Sequence, residues 1–179
     1  MQKLPPLLLP LPPKMSSNPQ QIIKAKASPE RSLKSRAIAY LSRREHSRAE
    51  LAQKLSPFEP DSLKINALLD QLAREGWQSD ERFVANTVNA KSLRQGRALI
   101  EHSLRQKGVD KTLIEAISQT LAPTEYARAC DVWQRRFGLK PLDSSPQGYA
   151  KQARFLISRG FQAEIVRKVL STLRNQSHN

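Results

Sequence analysis

The sequence predicts an all-α fold: three tandem three-helix, helix-turn-helix-like repeats forming an elongated array that is free to curve. Two observations carry this expectation. From Arg36 onward apolar residues recur at three- and four-residue spacing, and the alternation of a strand is essentially absent. The chain also superposes on itself. A shift of 52 residues brings Gly96 onto Gly148, Leu104 onto Leu156, Gly108 onto Gly160, Leu113 onto Ile165 and Ile117 onto Val169. A looser copy lies about 49 residues upstream, with Ser47 on Gly96, Leu55 on Leu104 and Ile65 on Ile114.

The elements follow in order. Residues 1–35 hold seven of the twelve prolines, and six cations against one carboxylate leave +5 there. Proline blocks helix interiors and sheet ladders, so this stretch reads as a disordered or extended basic tail. Prolines also bound Leu7-Leu8-Leu9 on both sides, which argues against a secretory leader. Repeat one spans 36–79. Its first helix is expected over 33–44, its second carries Leu51 and Leu55, and its third carries Ile65, Leu68, Leu69 and Leu72. Ser47-Arg48-Ala49-Glu50 reads as a capping box that starts the second helix, with Glu50 returning to the Ser47 N–H. Repeat two spans 80–122: a helix over 80–94, a second with Ile100 and Leu104, a turn at Gly108, and a third with Leu113, Ile114 and Ile117. Repeat three spans 123–174: a helix over 123–137, a second ending at Leu156, a turn at Gly160, and a third with Ile165, Val166, Val169, Leu170 and Leu173. Residues 175–179 form a short C-terminal tail. Gly108 and Gly160 read as left-handed helix C-caps.

Composition excludes several chemistries. No apolar run approaches the roughly 18 residues of a membrane span. The closest pair of the six glycines, Gly138 and Gly148, is ten residues apart, so neither a P-loop nor a dinucleotide fingerprint is present. One cysteine, Cys130, excludes an internal disulfide framework, and it reads as a small buried residue. His46, His102 and His178 are too dispersed for a metal site and read as surface groups. Trp77 and Trp133 read as core. No nucleophile, base and orienting acid share a telling spacing. No cofactor and no catalytic residue are expected.

Charge supplies the positive clue. Thirty Lys and Arg against sixteen Asp and Glu give +14, which attracts polyanions. The cations cluster. Arg36, Arg43, Arg44 and Arg48 crowd repeat one; Arg94, Arg97, Arg105 and Lys107 flank the second helix of repeat two. Arg135, Arg136, Lys151, Arg154, Arg159, Arg167 and Lys168 mark repeat three. Arg predominates in these clusters, which suits forked contacts to phosphate or carboxylate over simple solvation. The bland alternative is a solvated charged face. A paired helix with a tight turn also suits a sequence-reading DNA regulator, although base-reading residues are not concentrated at any helix start.

Four stretches carry a family resemblance: "AIAYLSRREHSRAELAQKL", "LLDQLAREGWQSDERFVANTV", "GRALIEHSLRQKGVDKTLIEAI" and "ARFLISRGFQAEIVRKVL". In their order, and in the turns Leu104-x-x-Lys107-Gly108-Val109 and Phe155-Leu156-x-x-Arg159-Gly160-Phe161, the chain from about Arg36 to Leu173 resembles the RecX family, regulators of the RecA recombinase. It departs at Gly76-Trp77-Gln78-Ser79-Asp80, where the family usually has Tyr and a second acid. The resemblance implies tandem three-helix repeats without enzymatic activity. It further implies binding along the groove of the RecA–DNA filament, with damped ATP hydrolysis and strand exchange. The expected partners are the RecA filament and single-stranded DNA without sequence preference, with no membrane. The protein is expected to be a cytoplasmic monomer. The family supplies no individual contact residues, so the basic clusters are the candidates.

Overall fold

A computed structural model describes residues 32–139, 143 and 145–176; the tail expected over 1–35 falls almost wholly outside them. Among the described residues nine α-helices follow one another and no strand forms. They are α1 (Leu33–Leu41), α2 (Arg48–Leu55), α3 (Ser62–Arg74), α4 (Asp80–Lys91), α5 (Arg97–Gln106), α6 (Lys111–Leu121), α7 (Glu125–Phe137), α8 (Pro146–Ser158) and α9 (Ala163–Gln176). A 3₁₀ turn, Ala122–Thr124, joins α6 to α7.

Three separate cores reflect the three repeats. Ala37, Leu51, Leu55, Ile65, Leu69 and Leu72 pack α1–α3 together. Phe83, Val84, Ile100, Leu104, Val109, Ile114 and Leu121 do the same for α4–α6. Ala129, Val132, Trp133, Leu156, Phe161, Val166, Val169 and Leu170 serve α7–α9. Each is the inward stripe of amphipathic helices. Burying a Leu, Ile or Val side chain contributes about 1.5–3 kcal/mol. A core of half a dozen such residues is marginal against chain entropy, so each unit depends on its neighbour.

Two helices stop short of their expected ends. The sequence places 33–44 in the first helix, but α1 closes at Leu41, with the Ser42 N–H on the Ile38 carbonyl at 2.8 Å. Arg44 then turns away to grip Glu50. Likewise α4 ends at Lys91 rather than residue 94. Here the Arg128 guanidinium reaches from α7 to the Ser92 and Gln95 carbonyls, at 3.3 and 2.9 Å, and holds the connection in a turn.

The joints between units repeat as well. Every α-helix begins with N–H groups that lack an intrahelical partner, and a nearby carboxylate stabilises them. At the start of α2, Asp80 Oδ1 accepts from the Arg48 N–H at 2.7 Å. At the start of α5, Glu125 Oε1 accepts from the Arg97 N–H at 3.1 Å. Asp80 and Glu125 are each the first residue of the next unit's first helix. In both joints, therefore, one unit's second helix is capped by the unit that follows.

The turn between the second and third helices of the following unit completes each joint. Ser47 Oγ donates to the Lys107 carbonyl at 2.6 Å, and Gly108 lies against Ala49. In the second joint the Gly96 N–H donates to the Arg159 carbonyl at 2.8 Å and the Ala98 N–H to the Gly160 carbonyl at 3.2 Å. Gly108 (φ +67°) and Gly160 (φ +85°) are left-handed, as the C-cap reading requires. They are also glycine for a second reason, close approach: a Cβ would stand 2.5 Å from Ala49 Cβ at the first and 2.4 Å from Leu99 Cβ at the second. In repeat one the corresponding turn is the longer, glycine-free Ser56–Asp61 segment. In unit three the second helix is capped locally, as Ser145 Oγ accepts from the Gly148 N–H at 3.0 Å.

Candidate functional site

The predicted cations divide into two groups. Several are committed to internal partners. Arg97 is mostly buried, ion-paired to Glu125 at 3.3 Å and bonded to Ser118 Oγ at 2.9 Å. Arg44 and Lys107 converge on Glu50 from opposite sides of the first joint, at 2.6 and 3.1 Å. Arg48 pairs with Asp70 at 2.8 Å and Arg105 with Glu101 at 2.8 Å. Arg36 lies 4.1 Å from the centre of the Phe58 ring. The others face solvent: Arg43, Arg94, Arg135, Arg136, Lys151, Arg154, Arg159, Arg167 and Lys168 are exposed. Of these, Arg159 stacks 5.2 Å from the Phe155 ring centre, and Lys168 lies 5.1 Å from that of Tyr126.

This division yields a testable contrast. Arg97→Gln is expected to lower the unfolding free energy by about 1–3 kcal/mol, because it strips a buried carboxylate of a charged partner. Lys151→Gln, on an open face, is expected to change it by less than about 0.5 kcal/mol. Urea denaturation followed by circular dichroism checks both.

Glu50 is the electrostatic centre of the first joint. It is buried, and hydrogen bonds from Arg44 at 2.6 and 3.1 Å hold its pKa down to about 2, against the opposing effect of burial and with help from Lys107. Ser47 does cap the Glu50 N–H, at 3.1 Å. The reciprocal half of the expected capping box is replaced, since the Glu50 carboxylate goes to Arg44 and Lys107.

Two residues read as surface or core are placed otherwise. His46 is buried, with its ring edge-on to Tyr40 and Nδ1 3.3 Å from Glu50. It sits just before the α2 cap, the position whose side chain packs down on the first turn, and that is the signal by which the sequence places it inside. Trp77 is about half exposed. It lies past the end of α3, where its N–H closes the helix on the Leu72 carbonyl at 2.9 Å, so its ring falls off the apolar stripe. Trp133 is buried as expected and donates to Gln152 Oε1 at 2.8 Å. His102 is exposed. His178 lies outside the described residues.

One concavity gathers four exposed arginines. A groove of about 630 Å³ opens between units two and three, with Arg94, Arg135, Arg136 and Arg159 around it and Leu93, Val132 and Phe155 as its floor. Arg94 comes from the α4–α5 connection, Arg135 and Arg136 from the end of α7, Arg159 from the end of α8. Arg135 also donates to the Leu93 carbonyl, which ties the two walls together. No described carboxylate pairs with any of the four. Nothing local in the sequence groups Arg94 with residues some 40 to 65 positions later; only the joint does.

Catalytic features are sparse among the described residues. No group of three or more His, Cys, Asp or Glu is placed to hold a metal ion, and no helix is long and apolar enough to cross a membrane. Cys130 is half-buried, and burial pushes its thiol pKa up, away from the reactive thiolate.

These features define a class: a tandem array of three-helix units with carboxylate-capped joints and an arginine-lined groove. Comparison with known proteins gives the particular family. The family model described as "RecX, second three-helix domain" matches residues 79–117, and "RecX, third three-helix domain" matches 124–170. The chain is 45% identical over 142 residues to a "Regulatory protein RecX" of Leptothrix cholodnii, covering 79% of this chain and 89% of that one. It is 40% identical to the Chromobacterium violaceum protein of the same name, covering 81% and 93%. The crystal structure of RecX from Lactobacillus salivarius shares the fold, with a TM-score of 0.67 at 20% identity over 79% of this chain and 94% of that one. The chain belongs to the RecX family.

Proposed function

We propose that this protein is a non-enzymatic regulator that binds the RecA–DNA filament and lowers its ATPase and strand-exchange activity. The observation that carries the reading is membership of a family of regulatory proteins over most of the chain, as the 45% identity to one of them displays. The geometry supports it. Three units with separate cores offer several cationic contacts along one chain, and weak contacts in series multiply in strength when a repetitive partner meets them together. The exposed cations Arg43, Arg94, Lys151, Arg154, Arg159, Arg167 and Lys168 are the proposed contacts. Arg36, Arg48 and Arg105 are partly engaged and contribute at the edge, while Arg44, Arg97 and Lys107 act through the joints they hold. The protein works in the cytoplasm as a monomer, without cofactor.

The test is RecA's DNA-dependent ATPase with increasing amounts of this protein. Turnover is expected to fall with added protein, and Lys151→Glu with Arg154→Glu is expected to need at least about tenfold more protein for the same inhibition. Unchanged turnover at saturation overturns the reading. The competing reading, a sequence-reading transcription regulator, requires a preference for particular duplex sites beyond a salt-sensitive background.

A further inference from the structure

We infer that the groove between units two and three is a binding site for the phosphodiester backbone of a single nucleic-acid strand, gripped by Arg94, Arg135, Arg136 and Arg159. The inference deepens the proposed function and rests on it for its setting, because it assigns the nucleic-acid contact to one place.

Four observations converge. First, four guanidinium groups surround one concavity of about 630 Å³, and no described carboxylate neutralises them. Mutual repulsion among unpaired like charges is unfavourable unless an anion relieves it. Second, the groups are all arginine, whose planar fork matches a phosphate in two-point contact. Third, the floor is apolar and includes the Phe155 ring, held edge-on by Phe137 at 5.3 Å between ring centres. Bases and sugars stack on such a floor. Fourth, the groove is open to solvent rather than enclosed, so a polymer strand can enter it from the side. The smaller recess of about 290 Å³ beside Arg105 and Lys111 includes Glu115 and lacks this one-signed lining.

The site also spans a joint. Arg94 belongs to unit two and the other three arginines to unit three, and the Gly96–Arg159 backbone hydrogen bond fixes their spacing. A strand in the groove would therefore bridge two units.

The experiment needs no recombinase. Full-length protein and the double variant Arg94→Gln with Arg136→Gln are titrated with a fluorescent oligothymidylate across a salt series. The side chains of these two arginines donate to no described residue, so the fold is expected to persist, and circular dichroism checks it. A control variant, Lys64→Gln with Arg74→Gln, removes the same charge from exposed positions of α3, outside the groove and outside the proposed contacts. Removing one phosphate-binding cation reduces the slope of log K against log salt by about 0.7 for a single strand. The groove variant is expected to bind about tenfold more weakly at low salt, with a slope shallower by about 1.4, while the control changes little. Equal losses in groove and control variants overturn the inference in favour of diffuse charge. Unchanged oligonucleotide binding with weakened RecA ATPase inhibition overturns it in favour of an acidic protein surface. Failure of the wild type to inhibit RecA, with oligonucleotide binding and its groove dependence intact, sinks only the proposed function.

Discussion

Gly96→Ala is expected to destabilise the protein by about 3 kcal/mol, the upper range for overpacking a close contact. Gly96 has an ordinary backbone, φ −75°, so alanine meets no conformational strain there. The loss comes from the neighbours. A Cβ would lie 2.3 Å from the Gly160 carbonyl carbon and oxygen and 2.4 Å from the Phe161 nitrogen. These are backbone atoms and cannot rotate away, so the joint must open. Opening it breaks the hydrogen bonds from Gly96 and Ala98 to the Arg159 and Gly160 carbonyls. Gly148, its counterpart one repeat later, supplies the control. The nearest atoms to its Cβ would be those of the Asp143 carboxylate, at 2.2 to 2.5 Å, and that side chain can swing aside. Alanine within a helix gains up to about 1 kcal/mol over glycine, so Gly148→Ala is expected to be near neutral. Chemical denaturation of the two variants decides the matter. Equal losses would mean that the second joint does not depend on this backbone contact.

Acid is expected to loosen the first joint, and Glu50→Gln to remove much of that sensitivity. With a folded pKa of about 2 against an ordinary 4.5, Glu50 binds fewer protons folded than unfolded. Its contribution, about 3 kcal/mol by linkage, is complete above about pH 4.5 and is lost as the pH falls toward 2. His46 adds in the same direction. Burial, then the nearby Arg44 charge, lowers its pKa below 6.5, so the folded chain holds it neutral, and protonation as the pH drops below that value favours unfolding. The measurement is unfolding free energy against pH for wild type and Glu50→Gln. The gap between the two curves is expected to be about 3 kcal/mol at pH 7 and to close between pH 4.5 and 2. A gap that stays constant across that window would show that the carboxylate is not held ionised by Arg44 and Lys107.

The charged first joint and the backbone-bonded second joint are two solutions to one packing problem. Both place the turn of one unit against the second helix of the unit before it. Ser47 uses its hydroxyl where Gly96 uses its N–H. That is why the earliest repeat aligns only loosely with the others, although it occupies an equivalent place.

Much of this architecture is legible in the sequence because it depends on local periodicity. A stripe of Leu and Ile at three- and four-residue spacing has one way to be buried, and the 52-residue self-similarity shows how often it recurs. Helix starts are legible where a cap is local, as at Ser47. What depends on contacts between distant residues is not legible. Whether an arginine is exposed or sealed against a carboxylate is decided by which unit packs on it: Arg97 and Arg94 are three residues apart, yet Glu125 claims one and leaves the other open. The grouping of Arg94 with Arg135, Arg136 and Arg159 arises in the same way. Periodicity is a property of the chain taken a few residues at a time. The pairing of charges is a property of the joints, and only folding brings their two sides together.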